Sequence, residues 1–294
     1  MSVHQTPSSD PAALLARLTA TAVRHHSPCG DGEMVWRQWG EGPALVLLHG
    51  GYGSWSHWLK NIEALARHYR VIAADMPGLG DSAMPPGPIT PEGLAAIIDR
   101  GLDTVLAPGE RFHLVGFSFG AMLGSFVARR RRHAVRSLVL VGSASMGLRR
   151  APMHEMEPMR RHMTDREVLA LQRANLAVLM FADEHRIDDI AVRLQVENVA
   201  RARVKSRRFA PVDLLRPVLP QVAAPLGGIW GERDATAYPY VEERRDLLRA
   251  IQPNAPFDII AGAGHWVMYE APDAFNHTLL AQLAATERAA TARA

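Results

Sequence analysis

The chain has a single cysteine, Cys29, among its 294 residues. An intramolecular disulfide is therefore excluded, and so is a metal cluster built on cysteine thiolates. Cys29 stands in no motif and is expected to be structural. Lysine is almost as scarce. Lys60 and Lys205 are the only two, so the basic charge is nearly all arginine. No arginine-rich stretch is interleaved with aromatics, which argues against a nucleic-acid partner. No apolar run reaches the length of a membrane span, and the opening MSVHQTPSSD lacks the apolar core of a signal peptide. No membrane partner is expected, and the chain reads as soluble and cytoplasmic. Internal repeats are absent, and only the Ala-rich C-terminal end is of low complexity.

What is present suffices for a packed core: 48% of residues are hydrophobic, 21% are charged, and the net charge is only +3. Residues 1–10 read as a frayed tail. A helix is expected from Pro11 to Arg24, with Asp10 as its N-cap. Strands are expected near residues 25–28 and 33–39, at Ala44–Leu48, Val71–Ala74 and Ser137–Val141, and at Leu226–Trp230 and Phe257–Ile260. Helices are expected over 55–68, 91–106, 240–250 and 271–287. The alternation implies α/β architecture, a mostly parallel sheet covered by helices on both faces. It breaks between about Ala144 and Arg216, where the pattern is helical and rich in Met and Arg. That stretch reads as a helical cap (144–216) inserted into a core of residues 1–143 and 217–294.

The stretch Phe112–Leu123 organises the rest. FHLV reads as a buried strand, GFSFG follows, and AMLGSFVARRRRH has helical spacing. Gly-x-Ser-x-Gly between a strand and a helix is a nucleophile elbow: Gly116 and Gly120 leave room for a sharp turn that exposes Ser118. The helix then directs its positive N-terminal end, and the Phe119 N–H, toward the place where an oxyanion would form. Arg129–Arg132 falls in the last turn of this helix, where positive charge is favourable.

Parallel strands deliver their following loops to one rim of a sheet. After Ala44–Leu48 comes His49-Gly50-Gly51, and after the elbow strand comes Ser118. After Leu226–Trp230 comes GERD with Asp234, and after Phe257–Ile260 comes AGAGHW with His265. A nucleophile, an acid and a base thus stand at strand ends in the order Ser, Asp, His. Asp213 and Asp258 compete with Asp234, but neither follows a buried strand.

With HGG, DMPGLGDS, GFSFG, WGERD and GHW in order, residues 33–285 resemble the α/β-hydrolase family. The resemblance implies the α/β-hydrolase fold, a Ser118–His265–Asp234 catalytic triad, and a cap after the strand ending at Val141. It also implies an oxyanion hole made partly by the loop after His49-Gly50. Phe119 and Gly51 are the expected donors, with Tyr52 the alternative to Gly51. His49 is expected to brace the loop rather than to catalyse. Asp75 and Asp81 have the look of a second acid or metal site, but the family pattern makes them turn residues.

Serine at the elbow excludes the dehalogenase and epoxide-hydrolase branches, which carry Asp there. Phe119 stands where cofactor-free haloperoxidases carry Trp, and Tyr52 where proline iminopeptidases carry Pro. DMPGLGDS and AGHWVMYE look most like the meta-cleavage-product hydrolases, which cut a carbon–carbon bond next to a ketone, and their carboxylesterase neighbours. Phe117 departs from the Asn often found before the serine in the former. A serine hydrolase acting on a small carbonyl substrate by ester or C–C hydrolysis is expected, with no metal or organic cofactor. Gly50, Tyr52, Trp266, Met146, Arg203 and Arg207 are expected to line the substrate pocket, the arginines holding a carboxylate. The competing readings are a ligand-binding receptor on the same fold and a cofactor-free oxygenase or lyase. A homodimer is left open.

Overall fold

The computed structural model describes residues 10–152 and 155–292. Most of the N-terminal tail, and Met153 of the methionine-rich block, lie outside them.

Eight strands form one sheet in the order β1-β2-β4-β3-β5-β6-β7-β8. They are β1 (Val23–Cys29), β2 (Gly32–Trp39), β3 (Ala44–Leu48), β4 (Arg70–Ala74), β5 (Phe112–Phe117), β6 (Val135–Val141), β7 (Leu226–Gly231) and β8 (Phe257–Ile260). The β1–β2 and β2–β4 pairs are antiparallel and all other pairs are parallel. The central strands are continuous apolar runs because both faces of the sheet are covered. Along β3, Val46 and Leu48 enter one core and Leu45 and Leu47 the other, and Leu138/Leu140 and Val139/Val141 of β6 divide in the same way.

Among the described residues three α-helices precede β5: α1 (Pro11–Thr21), a short α2 (Ile62–Ala66) and α3 (Pro91–Val105). Helix α4 (Phe119–Arg131) follows the elbow. At its end Arg130 and Arg131 pair with Asp99 of α3, so the arginine cluster is a helix–helix contact. Two expectations change here. The first helix ends at Thr21, because Val23 and Arg24 are paired in β1. Residues 55–68 are not one helix but a 3₁₀ turn, Trp55–Trp58, followed by α2. The buried Asn61 between them donates to the Met268 carbonyl and to Asn276 Oδ1, at 2.9 Å each, which fixes the break.

Between β6 and β7 the chain leaves the sheet and forms α5 (Asp165–Leu179), started by a Thr164/Glu167 capping box, and α6 (Asp189–Arg201). It then returns through α7 (Glu242–Ile251), one turn of α8 (Val267–Glu270) and the long α9 (Pro272–Thr291). Register aligns the strand ends that matter: Leu48 is opposite Gly116, Phe117 opposite Val141, and Val141 opposite Ile229. The loops after β3, β5, β6 and β7 therefore emerge on one rim.

Candidate active site

At the end of β5 the backbone turns on Ser118, which has φ 51° and ψ −110°. A non-glycine residue in that region is strained and persists only when its surroundings hold it. The surroundings here are the flanking glycines, whose contribution is steric. A Cβ on Gly116 would lie 2.4 Å from the Gly120 carbonyl oxygen, and one on Gly120 would lie 2.4 Å from the His49 and Leu48 carbonyl oxygens. Their bare backbones let α4 start directly against β3.

The loops after β7 and β8 bring two more side chains to Ser118. Ser118 Oγ is 3.1 Å from His265 Nε2, and His265 Nδ1 is 2.9 Å from both Oδ1 and Oδ2 of Asp234. Asp234 is fully buried. Its Oδ1 also accepts the Thr236 N–H at 2.8 Å and the Thr236 hydroxyl at 2.7 Å. An acceptor carboxylate on Nδ1 leaves Nε2 free to accept a proton from the serine. Gly142, with φ +50°, has only hydrogen facing this pair; a Cβ there would lie 3.1 Å from Asp234 Oδ2 and from His265 Nδ1.

Gly51 and Phe119 border the same cavity as Ser118. Among the described residues neither backbone N–H has a protein acceptor. The Gly50 N–H, in contrast, is taken by His57 Nδ1 at 3.1 Å. His49 and His57 are both buried behind this loop. Burial brings His49 from its ordinary 6.5 down to about 4, against the pull of nearby Asp75. Burial, reinforced by His49 and His265, pushes His57 well below the same value. Both rings are neutral when folded, whereas the unfolded chain takes up protons near pH 6.5, so folding releases protons in the interval between. Stability is expected to fall as the pH drops below about 6.5, and the His49 part of that loss continues down to about 4. Urea midpoints at pH 7, 6 and 5 check this, and a flat series would contradict it.

The cavity holds about 420 Å³. Of the residues expected to line it, Gly50, Tyr52, Met146 and Arg207 do. The Arg207 guanidinium lies 4.9 Å from the Tyr52 ring centroid. Met156 and Met180 also border the cavity, so part of the methionine-rich block faces the site as well as packing between helices.

Trp266 and Arg203 are placed elsewhere. Trp266 is fully buried on the other side of the His265 loop, where its indole N–H donates to the His57 carbonyl at 2.9 Å and its ring packs on Tyr269. The residue after His265 therefore faces the core. Arg203 follows α6 where the chain crosses the 78–82 loop, and its side chain donates to the Ser82 carbonyl. Asp75 and Asp81 both take hydrogen bonds from Arg37 and act in the turn.

Arg150, Arg244 and Thr236 line the cavity without having been anticipated. Arg244 is buried and donates to the Tyr240 carbonyl at 2.8 Å and the Thr236 carbonyl at 3.3 Å. Its Nε has no partner among the described residues. Nothing in EERRDLL separates it from exposed neighbours.

Residues 45–278 match the model of the alpha/beta hydrolase family. A 2-hydroxy-6-oxo-6-(2'-aminophenyl)hexa-2,4-dienoic acid hydrolase of Metapseudomonas resinovorans is 27% identical over 272 residues, covering 86% of this chain and 88% of that one. A pimeloyl-[acyl-carrier protein] methyl ester esterase of Vibrio vulnificus is 25% identical over 265 residues, covering 84% of this chain and 97% of that one. Among solved structures, a carboxylesterase from Bacillus subtilis superposes with a TM-score of 0.73 at 20% identity, over 93% of this chain and 95% of that one. That similarity is one of fold. No helix among the described residues is long and apolar enough to cross a membrane.

Proposed function

The chain belongs to the alpha/beta hydrolase family, and on that premise we propose that it is a serine hydrolase. It cleaves an ester, or a carbon–carbon bond next to a carbonyl, in a small molecule. The reading rests on one observation: a hydrogen-bonded chain from Asp234 through His265 to Ser118 opens on a cavity beside two backbone N–H groups that have no acceptor among the described residues.

Ser118 Oγ attacks the carbonyl carbon while His265 Nε2 takes its proton. Asp234 fixes the imidazole tautomer and stabilises the imidazolium. The oxyanion is held by the N–H groups of Phe119 and Gly51, each worth about 3 kcal/mol in the transition state. Collapse breaks the bond to the leaving group, which takes the proton from His265. Water, deprotonated in turn by His265, attacks the acyl-enzyme and releases a carboxylic acid with Ser118 restored. The segment 144–216 acts as a cap over the rim and supplies much of the cavity wall.

Arg150, Arg207 and Arg244 line the cavity, and among the described residues that line it there is no Asp or Glu. This favours substrates that carry a carboxylate besides the scissile carbonyl.

A fluorophosphonate probe tests the assignment. It is expected to label one serine, on the peptide containing Ser118, and to abolish release of acid from a short-chain nitrophenyl ester. Oxygen uptake without acid release would place the chemistry in the oxygenase class. Tight ligand binding with neither turnover nor labelling would make the chain a receptor.

A further inference from the structure

The loop after β3 is held by two imidazoles from opposite sides. His49 Nε2 accepts the Met76 N–H at 2.9 Å. The proton of the neutral ring is therefore on Nδ1, which donates to the Gly50 carbonyl oxygen at 2.7 Å. His57 has the reverse arrangement: its Nδ1 accepts the Gly50 N–H at 3.1 Å, so its proton is on Nε2. Both polar ends of Gly50 are thus engaged away from the cavity. The Gly50 carbonyl belongs to the same peptide as the Gly51 N–H. In a trans peptide the two point in opposite directions. Drawing the carbonyl toward His49 turns the Gly51 N–H the other way, and Gly51 borders the cavity.

The surrounding residues make room for this arrangement. A Cβ on Gly53 would lie 2.2 Å from His57 Cε1, and one on Gly50 would lie 2.8 Å from the Phe117 ring. The His57 ring is wedged between Phe117 and Trp266, with centroids at 5.6 and 5.0 Å. The charged and titratable groups near the two rings are Asp75 beside His49, and His265 and His49 beside His57.

We propose that His49 and His57 are positioning residues of the oxyanion site, two neutral imidazoles of opposite tautomer that hold the two peptides flanking Gly50, His57 the one before it and His49 the one after it, so that the Gly51 N–H is turned toward Ser118. Without His49 the Gly50–Gly51 peptide can rotate directly, and without His57 the preceding peptide no longer fixes the Gly50 backbone against that rotation; the Gly50 carbonyl would then meet the developing oxyanion with like charge. The proposal rests on the serine-hydrolase reading, which the probe experiment tests separately.

His57→Phe keeps the ring and removes the acceptor, while His57→Asn returns an acceptor oxygen near the position of Nδ1. The Phe variant is expected to lose roughly tenfold to a hundredfold in kcat, with KM for a nitrophenyl ester changed by less than about threefold. Its affinity for an aryl trifluoromethyl ketone, which forms an oxyanion on Ser118, is expected to fall by the same factor, and His57→Asn to recover most of both. Unchanged kcat in His57→Phe, or a loss of kcat with ketone affinity intact, would overturn the proposal. The ¹⁵N shifts of the histidines in the unmodified protein decide it without any variant. His49 must show a bare Nε2 and His57 a bare Nδ1 from pH 9 down to pH 6, and reversed tautomers or a ring titrating in that range would overturn it. If the unmodified protein turned over no ester, the hydrolase reading would fall, while these shifts would still report whether the peptide is clamped.

Discussion

Ser118→Ala is expected to lower kcat toward a nitrophenyl ester by on the order of a millionfold, equivalent to about 8 kcal/mol of transition-state stabilisation. The loss is large because, in the proposed mechanism, the hydroxyl is the group that becomes covalently bound and the rest of the site serves that step. Without it His265 would have no hydroxyl proton to accept at 3.1 Å, and the proposed oxyanion donors, the N–H groups of Gly51 and Phe119, would be left to stabilise only the slow attack of water. His265→Ala is expected to cost nearly as much, and the double variant little more than either, because the groups work as a unit. KM and thermal stability should change little. Alanine suffers the same strain as serine at φ 51°, and among the described residues the oxygen removed is hydrogen-bonded only to His265. Long assays on protein purified away from wild-type contamination give the measurement. A Ser118→Ala protein that kept a hundredth of the activity would place the nucleophile elsewhere.

The elements that carry this site could be read from residue order because burial on two faces leaves a continuous apolar signature. Leu45, Val46, Leu47 and Leu48 are apolar regardless of which side each faces. The loop at the end of such a run is therefore located without knowing the register. Side-chain direction within those loops was not legible in the same way. Trp266, adjacent to His265, turns into the core to hold His57, while Thr236, two residues beyond Asp234, turns toward the acid. Arg244 and Arg245 are identical in type, and only the docking of α7 buries the first and leaves the second in solvent-facing pairs. Likewise Arg203 was marked by its charge, yet the path of the chain after α6 points it at a carbonyl of the 78–82 loop. Charge density in a sequence indicates that an anion could be held, and tertiary packing selects which arginine can hold it.

Arg37→Met is expected to destabilise the protein by about 3–5 kcal/mol, the usual consequence of leaving a buried charge without its counter-ion. Asp75 is almost fully buried, and its Oδ2 accepts from Arg37 Nη1 at 2.8 Å. The same carboxylate accepts the N–H of Trp55 on Oδ1 and the N–H of Asp81 on Oδ2. These amides retain it in the variant but supply no net positive charge. Arg37 also reaches Asp81, which in turn pairs with Arg201 of α6, so one guanidinium ties β2, the 75–82 loop and the segment above the sheet. Adding Asp75→Asn to Arg37→Met should recover part of the loss, since the orphaned charge disappears while one acceptor oxygen remains; the coupling is read from a double-mutant cycle in urea. Additive effects would mean that the pair is not the source of the cost. Activity should respond as well. Asp75 fixes the amide of Trp55 at the start of the turn that carries His57, so loosening it relaxes the loop behind Gly50. The double variant is then expected to regain stability ahead of kcat, because its carboxamide restores neutrality without restoring the strength of the hydrogen bond at Trp55.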